Sequence, residues 1–251
     1  MVYQLTPDIY RLQVPFSNIY TSIFLVRTPA GTVVYDTATY GSDISKYLVP
    51  ALQELNIEGP CAVFVSHNHG DHAGGLAAFH ALYPDVPVFA GSEACKERMD
   101  ADVTVLCDGM TVGADLMAVH IPGHTLDAFG LYDRRTKTLI SGDCLQAYGI
   151  YGKGKWGTSI SCIGEHLSAL NRLEQLDIEA LYTAHDYEPC GNSAIGKEAV
   201  QNYILQCRKA LQELQEFAKN NPELSAEELS ESYAKTTGLP TPPPKTFCAI
   251  K

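Results

Sequence analysis

The stretch Ser66-His67-Asn68-His69-Gly70-Asp71-His72 constrains this chain more than any other part of it. Three histidines and an aspartate crowd together directly after the apolar run Cys61-Ala62-Val63-Phe64-Val65. Neutral imidazoles and carboxylates are the usual ligands of borderline divalent metals such as zinc. Positions 67, 69 and 71 share one parity, so an extended or gently turning chain sends them to the same side. His72 breaks that parity and is free to serve a second metal. Imidazoles this close would repel one another if protonated, and a metal removes the conflict by holding them neutral.

The chain has 251 residues, enough for one large domain or a domain with a small appendage. Its net charge is -11, which makes it a poor partner for nucleic acid or an anionic membrane, since both demand a basic face. The expected partner is a small-molecule substrate. The N-terminal residues show no charged and apolar leader pattern, and no apolar run approaches the roughly 18 residues of a membrane helix. Eight cysteines are scattered without a Cys-x-x-Cys pair. Reduced thiols and a cytoplasmic location are the expectation. The C-terminal Cys248-Ala249-Ile250-Lys251 matches a prenylation box only by chance, because lysine is not a usual last residue.

Two segments end alike. Ser22–Val26, a turn at Pro29-Ala30-Gly31 and Thr32–Tyr35 lead to Asp36. Ala128–Tyr132, a turn at Arg134-Arg135-Thr136 and Thr138–Ile140 lead to Asp143. Each is strand, turn, strand, aspartate, which hints at an internal duplication. Apolar spacing predicts a helix from Ile44 to Leu55, kinked or restarted by Pro50, and another from about Asp71 to Leu82. A third is marked by Leu167, Leu170, Leu173 and Leu176. Strands are expected at 87–90, 103–107, 115–121 and 180–184, and helices at 197–220 and 225–235. Residues 239–244 should be extended. Alternating strands and helices with hairpins predict an α/β sandwich, with helices outside and two sheets inside.

Further ligand candidates follow predicted strands: His124 in Gly123-His124-Thr125, Asp143 in Ser141-Gly142-Asp143, and His185 after 180–184. Five of the eight histidines fall at such ends, where α/β chains gather distant loops. In this order and spacing, His-x-His-x-Asp-His, Gly-His-Thr, Gly-Asp and a late histidine resemble the metallo-β-lactamase-fold superfamily of metal hydrolases. The resemblance spans roughly residues 10–190.

The resemblance implies a four-layer αββα sandwich with two related halves. Residues 1–196 would form the catalytic domain, and 197–251 a helical extension with a Pro-rich tail packed on it. It implies one metal on His67, His69 and His124, a second on Asp71, His72 and His185, and Asp143 bridging them. Asp36, Ser66 and Thr125 would support these ligands from behind. Two divalent ions, zinc above all with iron or manganese as alternatives, would share a water and lower its pKa toward neutrality. The bridging hydroxide would attack a small ester, thioester or lactone, with Asp71 orienting it. The glyoxalase-II-like and lactonase-like branches fit best. A mononuclear iron persulfide dioxygenase and a non-catalytic metal-binding protein stay open as alternatives.

The segment 145–156 follows Asp143 and concentrates Tyr148, Tyr151, Lys153, Lys155 and Trp156. It is expected to line the substrate entrance, with Tyr148 donating to the substrate oxygen as in lactonases. The alternative is a packed connection with Trp156 buried in the core. Lys197, Tyr203 and Arg208 are further candidates to reach the cleft. His80 and His166 are expected to be helix residues outside the site, His120 a strand residue, and Cys144 a small buried thiol.

Overall fold

A computed structural model describes residues 1–150 and 156–250. These fall into two compact units. The first comprises Met1–His120 and Phe129–Arg135, the second Ile121–Ala128 and Thr136–Lys251.

The first unit is built on a seven-stranded sheet in chain order: β1 Val2–Gln4, β2 Ile9–Phe16, β3 Ile19–Thr28, β4 Gly31–Tyr35, β5 Pro60–Val65, β6 Val88–Ala90 and β7 Thr104–Val105. β1 to β4 run antiparallel, and β4 to β7 parallel. β5 lies between two parallel neighbours, and Val63, Phe64 and Val65 are fully buried there. That is why it reads as a continuous apolar run rather than an alternating one. On one face the Tyr35 ring stacks on Phe64 at 5.3 Å and meets Phe24 edge-on at 5.8 Å. A separate cluster joins Leu25, Val34, Val63 and Val65 to Ile44, Leu48, Leu76 and Phe79 of the covering helices. The unit also holds an antiparallel run of β8 Thr111–Val112, β9 Leu116–His120 and β10 Phe129–Asp133.

The segment predicted as a helix around Pro50 begins as α1 Gly41–Asp43, passes through a π turn at Ile44–Leu48 and continues as α2 Val49–Glu54. Proline has no N–H to give the preceding turn and crowds its carbonyl. The wider turn before it absorbs that defect, so the helix restarts without a break. The single helix expected from 71 to 82 is instead two: α3 Gly70–Ala73 and α4 Leu76–Leu82. Gly74 and Gly75 separate them because the backbone after β4 passes against both. A Cβ at Gly74 would meet the Thr39 carbonyl at 1.9 Å, and one at Gly75 the Thr37 carbonyl at 2.2 Å.

The second unit contains β11 Thr138–Ile140, β12 Ala180–Tyr187 and β13 Gly191–Ile195, with β12 in the middle, parallel to β11 and antiparallel to β13. α5 Ile163–Leu173 connects β11 to β12 and buries His166, Ala169, Leu170 and Leu173 at helical spacing. The order strand, aspartate, helix, parallel strand thus occurs in both units, through Asp36 in one and Asp143 in the other. α6 Lys197–Asn220 buries one long stripe from Val200 to Ala218. α7 Ala226–Thr237 opens on a Ser225–Glu228 capping box and closes on Gly238 in the left-handed region. α8 Pro244–Ile250 was not expected. Its first residue belongs to the Pro-rich run, where proline's fixed φ suits a first helical position. Phe247 anchors α8 among Leu214, Leu229 and Tyr233. Among the described residues no helix is long and apolar enough to cross a membrane.

Gly74→Ala is expected to lower the denaturation midpoint, because its Cβ has only backbone to displace. Gly164→Ala in α5, where a Cβ meets nothing within 4 Å, should raise stability by about 0.5–1 kcal/mol. Equal effects in urea titrations would refute this account of the α3–α4 break.

Candidate metal centre

β4 ends in Asp36, which adopts a left-handed backbone (φ 64°) and is fully buried. Aspartate tolerates this conformation better than most residues. Its Oδ1 accepts from the Ser66 backbone N–H at 2.7 Å. Its Oδ2 accepts from the Ser66 hydroxyl at 2.9 Å and from His72 Nδ1 at 2.7 Å. Burial pushes this carboxyl's pKa upward, and His72 and the Ser66 donors pull against that. The hydroxyl of Ser66, committed as donor to Asp36, accepts from His67 Nδ1 at 3.0 Å. Both rings therefore carry their proton on Nδ1 and present the Nε2 lone pair, as a metal ligand must.

The loop after β5 then folds back on itself. His67 Nε2 lies 3.0 Å from His69 Nδ1. Two imidazoles on a tetrahedral zinc with legs of 2.0–2.1 Å are separated by about 3.3 Å, so the pair fits one ion. α3 carries Asp71 and His72, and its carbonyls are tied back to the sheet. Thr21 of β3 donates to the Asp71 carbonyl, and Thr37 to that of His72, both at 3.0 Å. Asp71 Oδ2 lies 3.4 Å from His72 Nε2.

The second unit supplies its own donors. Gly123, at φ 151°, turns the chain before His124. A Cβ there would meet the His166 ring at 2.2 Å. His124 Nδ1 faces the Ser159 carbonyl at 2.8 Å, which turns Nε2 away from that carbonyl. Gln146, its amide set by Ser159 N–H at 2.8 Å, lies 2.9 Å from the same ring nitrogen. His185 is inside β12 rather than after it, at an irregularity in the pairing with β13. Ser141 N–H donates to the Tyr182 carbonyl, and Ala184 N–H to that of Gly142, which lays the Asp143 loop along β12. Asp143 Oδ1 is then 3.3 Å from His185 Nε2, while Oδ2 is 3.8 Å from His124 Nε2. One carboxylate thus turns an oxygen toward each of two histidines. Within each unit, then, the donors expected from the sequence converge, and imidazole with carboxylate suits divalent ions.

Residues outside these clusters are placed differently. The Tyr148 hydroxyl donates to Glu213 of α6 at 2.8 Å. Trp156 is 50 % exposed, which overturns the alternative of an indole buried in the core. Tyr151, Lys153 and Lys155 lie outside the described residues. Thr125 is half-buried beside His124. The expectation that Lys197, Tyr203 and Arg208 reach a cleft is corrected. Lys197 pairs with Asp177 at 2.6 Å, and Arg208 with Glu174 at 2.7 Å. Tyr203 is buried, its hydroxyl donating to the Gly191 carbonyl at 3.1 Å. Gln146 and Ser159 were missed. Gln146 did leave a signal, as one polar residue inside the apolar run Cys144-Leu145-Gln146-Ala147. His166, expected outside the site, is buried with Nδ1 3.0 Å from the Pro122 carbonyl.

The profile of the metallo-beta-lactamase superfamily matches residues 18–185, which hold all seven candidate ligands, and the chain belongs to that superfamily. It is 27% identical over 228 residues to a beta-lactamase-like protein 2 homolog of Caenorhabditis elegans, covering 84% of this chain and 70% of that protein. It is 27% identical over 187 residues to an atrochrysone carboxyl ACP thioesterase of Emericella nidulans, covering 73% of this chain and 57% of that one. To a hydroxyacylglutathione hydrolase of Yersinia pestis it is 32% identical over 133 residues, covering 51% of this chain and 49% of the enzyme. The chain therefore spans only about half the length of these last two. A metallo-beta-lactamase family protein of Thermus thermophilus superposes with a TM-score of 0.73 at 20% identity, over 98% of this chain and 92% of that one. That likeness shows the fold, the αββα sandwich expected from the sequence.

The support behind the ligands can be tested at Asp36. Asp36→Asn keeps a residue suited to φ 64° but offers one acceptor oxygen where three donors converge. Zinc affinity measured by chelator competition is expected to fall roughly 10–100-fold. Unchanged affinity would remove Asp36 from this role.

A second prediction concerns pH. Burial, the dominant cause, pulls the pKa of His166 down to about 4 from an ordinary 6.5. The unfolded chain then takes up this proton first. Stability contributed by neutral His166 is complete above pH 6.5 and lost as pH falls toward 4, by on the order of 3 kcal/mol. His166→Asn, which keeps a donor for Pro122, should flatten that part of the denaturation profile. Identical pH slopes in the two proteins would show that His166 does not stay neutral on folding.

Proposed function

We propose that the chain is a binuclear metal-dependent hydrolase of a small ester, thioester or lactone. The observation that carries the reading is Asp143, whose two oxygens face His185 and His124 respectively. We assign the donors to two groups, His67, His69 and His124 in one, and Asp71, His72, Asp143 and His185 in the other. On this reading the first group holds one ion, the second holds another, and Asp143 joins them. Divalent ions held there, zinc by preference, would lower the pKa of a bound water and polarise a substrate carbonyl. Asp71 would hold an ion through one oxygen and, with the other, orient the attacking water and take its proton for the leaving group. Asp36 and Ser66 keep His67 and His72 in the required tautomer. The relatives named as a thioesterase and a hydroxyacylglutathione hydrolase support acyl transfer to water from a thioester.

The test joins metal analysis to a screen of lactones, thioesters, phosphodiesters and β-lactams with zinc, manganese and iron. Two metal ions per chain and hydrolysis of an acyl substrate are expected. Asp143→Ala should abolish turnover and reduce the metal content by at least one ion, while His80→Ala in α4 should do neither. A single tightly held metal, or oxygen uptake with iron and no hydrolysis, would sink the proposal.

A further inference from the structure

We propose that Arg98 is a positioning residue for the metal centre: by gripping Asn68 it sets the spacing of the imidazoles on either side. The inference rests on the binuclear reading above. Asn68 lies between His67 and His69 in a loop that is neither helix nor strand. Its side-chain oxygen accepts from Arg98 Nε at 2.5 Å, and its backbone carbonyl accepts from Arg98 Nη2 at 2.7 Å. Two N–H bonds from one planar fork fix the orientation of that residue as well as its distance. The buried thiol of Cys95 donates weakly to the same side-chain oxygen at 3.6 Å. Both donors come from a 3-10 helix, Glu93–Arg98.

With residue 68 unable to rotate, the neighbouring rings are held with Nε2 of His67 3.0 Å from Nδ1 of His69. Ser66 fixes His67 from behind, and His69 caps the short helix α3. The grip on Asn68 ties the backbone between these two positions. A guanidinium so near two metal-binding histidines opposes a divalent cation electrostatically. Its contribution is therefore geometric.

The experiment uses the full chain, titrated with zinc against a chelator and separately loaded with cobalt(II) for its visible absorption. Arg98→Met is expected to weaken one of two zinc sites roughly 10–100-fold and leave the other unchanged. The cobalt bands of the weakened site should shift, and the melting temperature of the metal-free protein should stay the same. Arg98→Lys, which can satisfy one acceptor but not both, should recover part of the affinity. The proposal is overturned if Arg98→Met binds both zinc ions as the wild type does with the same cobalt spectrum. It is overturned equally if both sites weaken together with the metal-free melting temperature, which would make Arg98 a general support of the fold. Wild-type protein that binds fewer than two zinc ions would instead overturn the binuclear reading itself.

Discussion

A buried carboxylate surrounded by donors organises the candidate ligands of the first unit. Asp36 sits where the chain leaves β4 in a left-handed turn, and it accepts three hydrogen bonds from two residues of the neighbouring loop. Taking a carboxylate out of water is expensive unless its lone pairs are satisfied. Here the satisfaction is local and directional, so the cost of burial is offset by contacts that also fix where His67 and His72 point. Ordering those rings in advance means that a metal does not have to do so when it binds.

The second unit reaches the same end by other means. Behind His124 lie the Ser159 backbone carbonyl and the Gln146 amide. That arrangement requires a demanding turn at Gly123, pressed so closely against His166 that no side chain fits. His166 in turn stays neutral because burial outweighs the pull of the Pro122 carbonyl toward the protonated ring. The two halves thus share an order of elements but not a supporting chemistry.

Much of this was legible in the chain. Metal ligands must be particular residue types, so the candidates His67, His69, Asp71, His72, His124, Asp143 and His185 stand out in the sequence even where the spacing between them is long. Apolar periodicity located α5 and α6 because each buries a single stripe. What escaped were features set by contacts distant in sequence. The break at Gly74-Gly75 comes from the backbone of Thr37 and Thr39, which no helical pattern around residue 74 records. α8 escaped because a proline run reads as extended, while Phe247 and the helices it packs against make Pro244 a helix start. The bond from the Tyr148 hydroxyl to Glu213 spans 65 residues, which no local pattern records.

The path of the chain through its two units has a consequence for biosynthesis. The first unit takes in Met1–His120, releases the chain for Ile121–Ala128, and takes it back for Phe129–Arg135. β9 waits for β10, and the Ser66 carbonyl waits for the Phe129 N–H that bonds it at 2.8 Å. A nascent chain emerging from the ribosome can therefore pair β1 to β7 early, yet cannot finish that unit before Arg135 appears. By then the excursion bearing His124 has already been synthesised and is anchored at both ends. Each unit is thus interrupted in the messenger by a short stretch that belongs to the other.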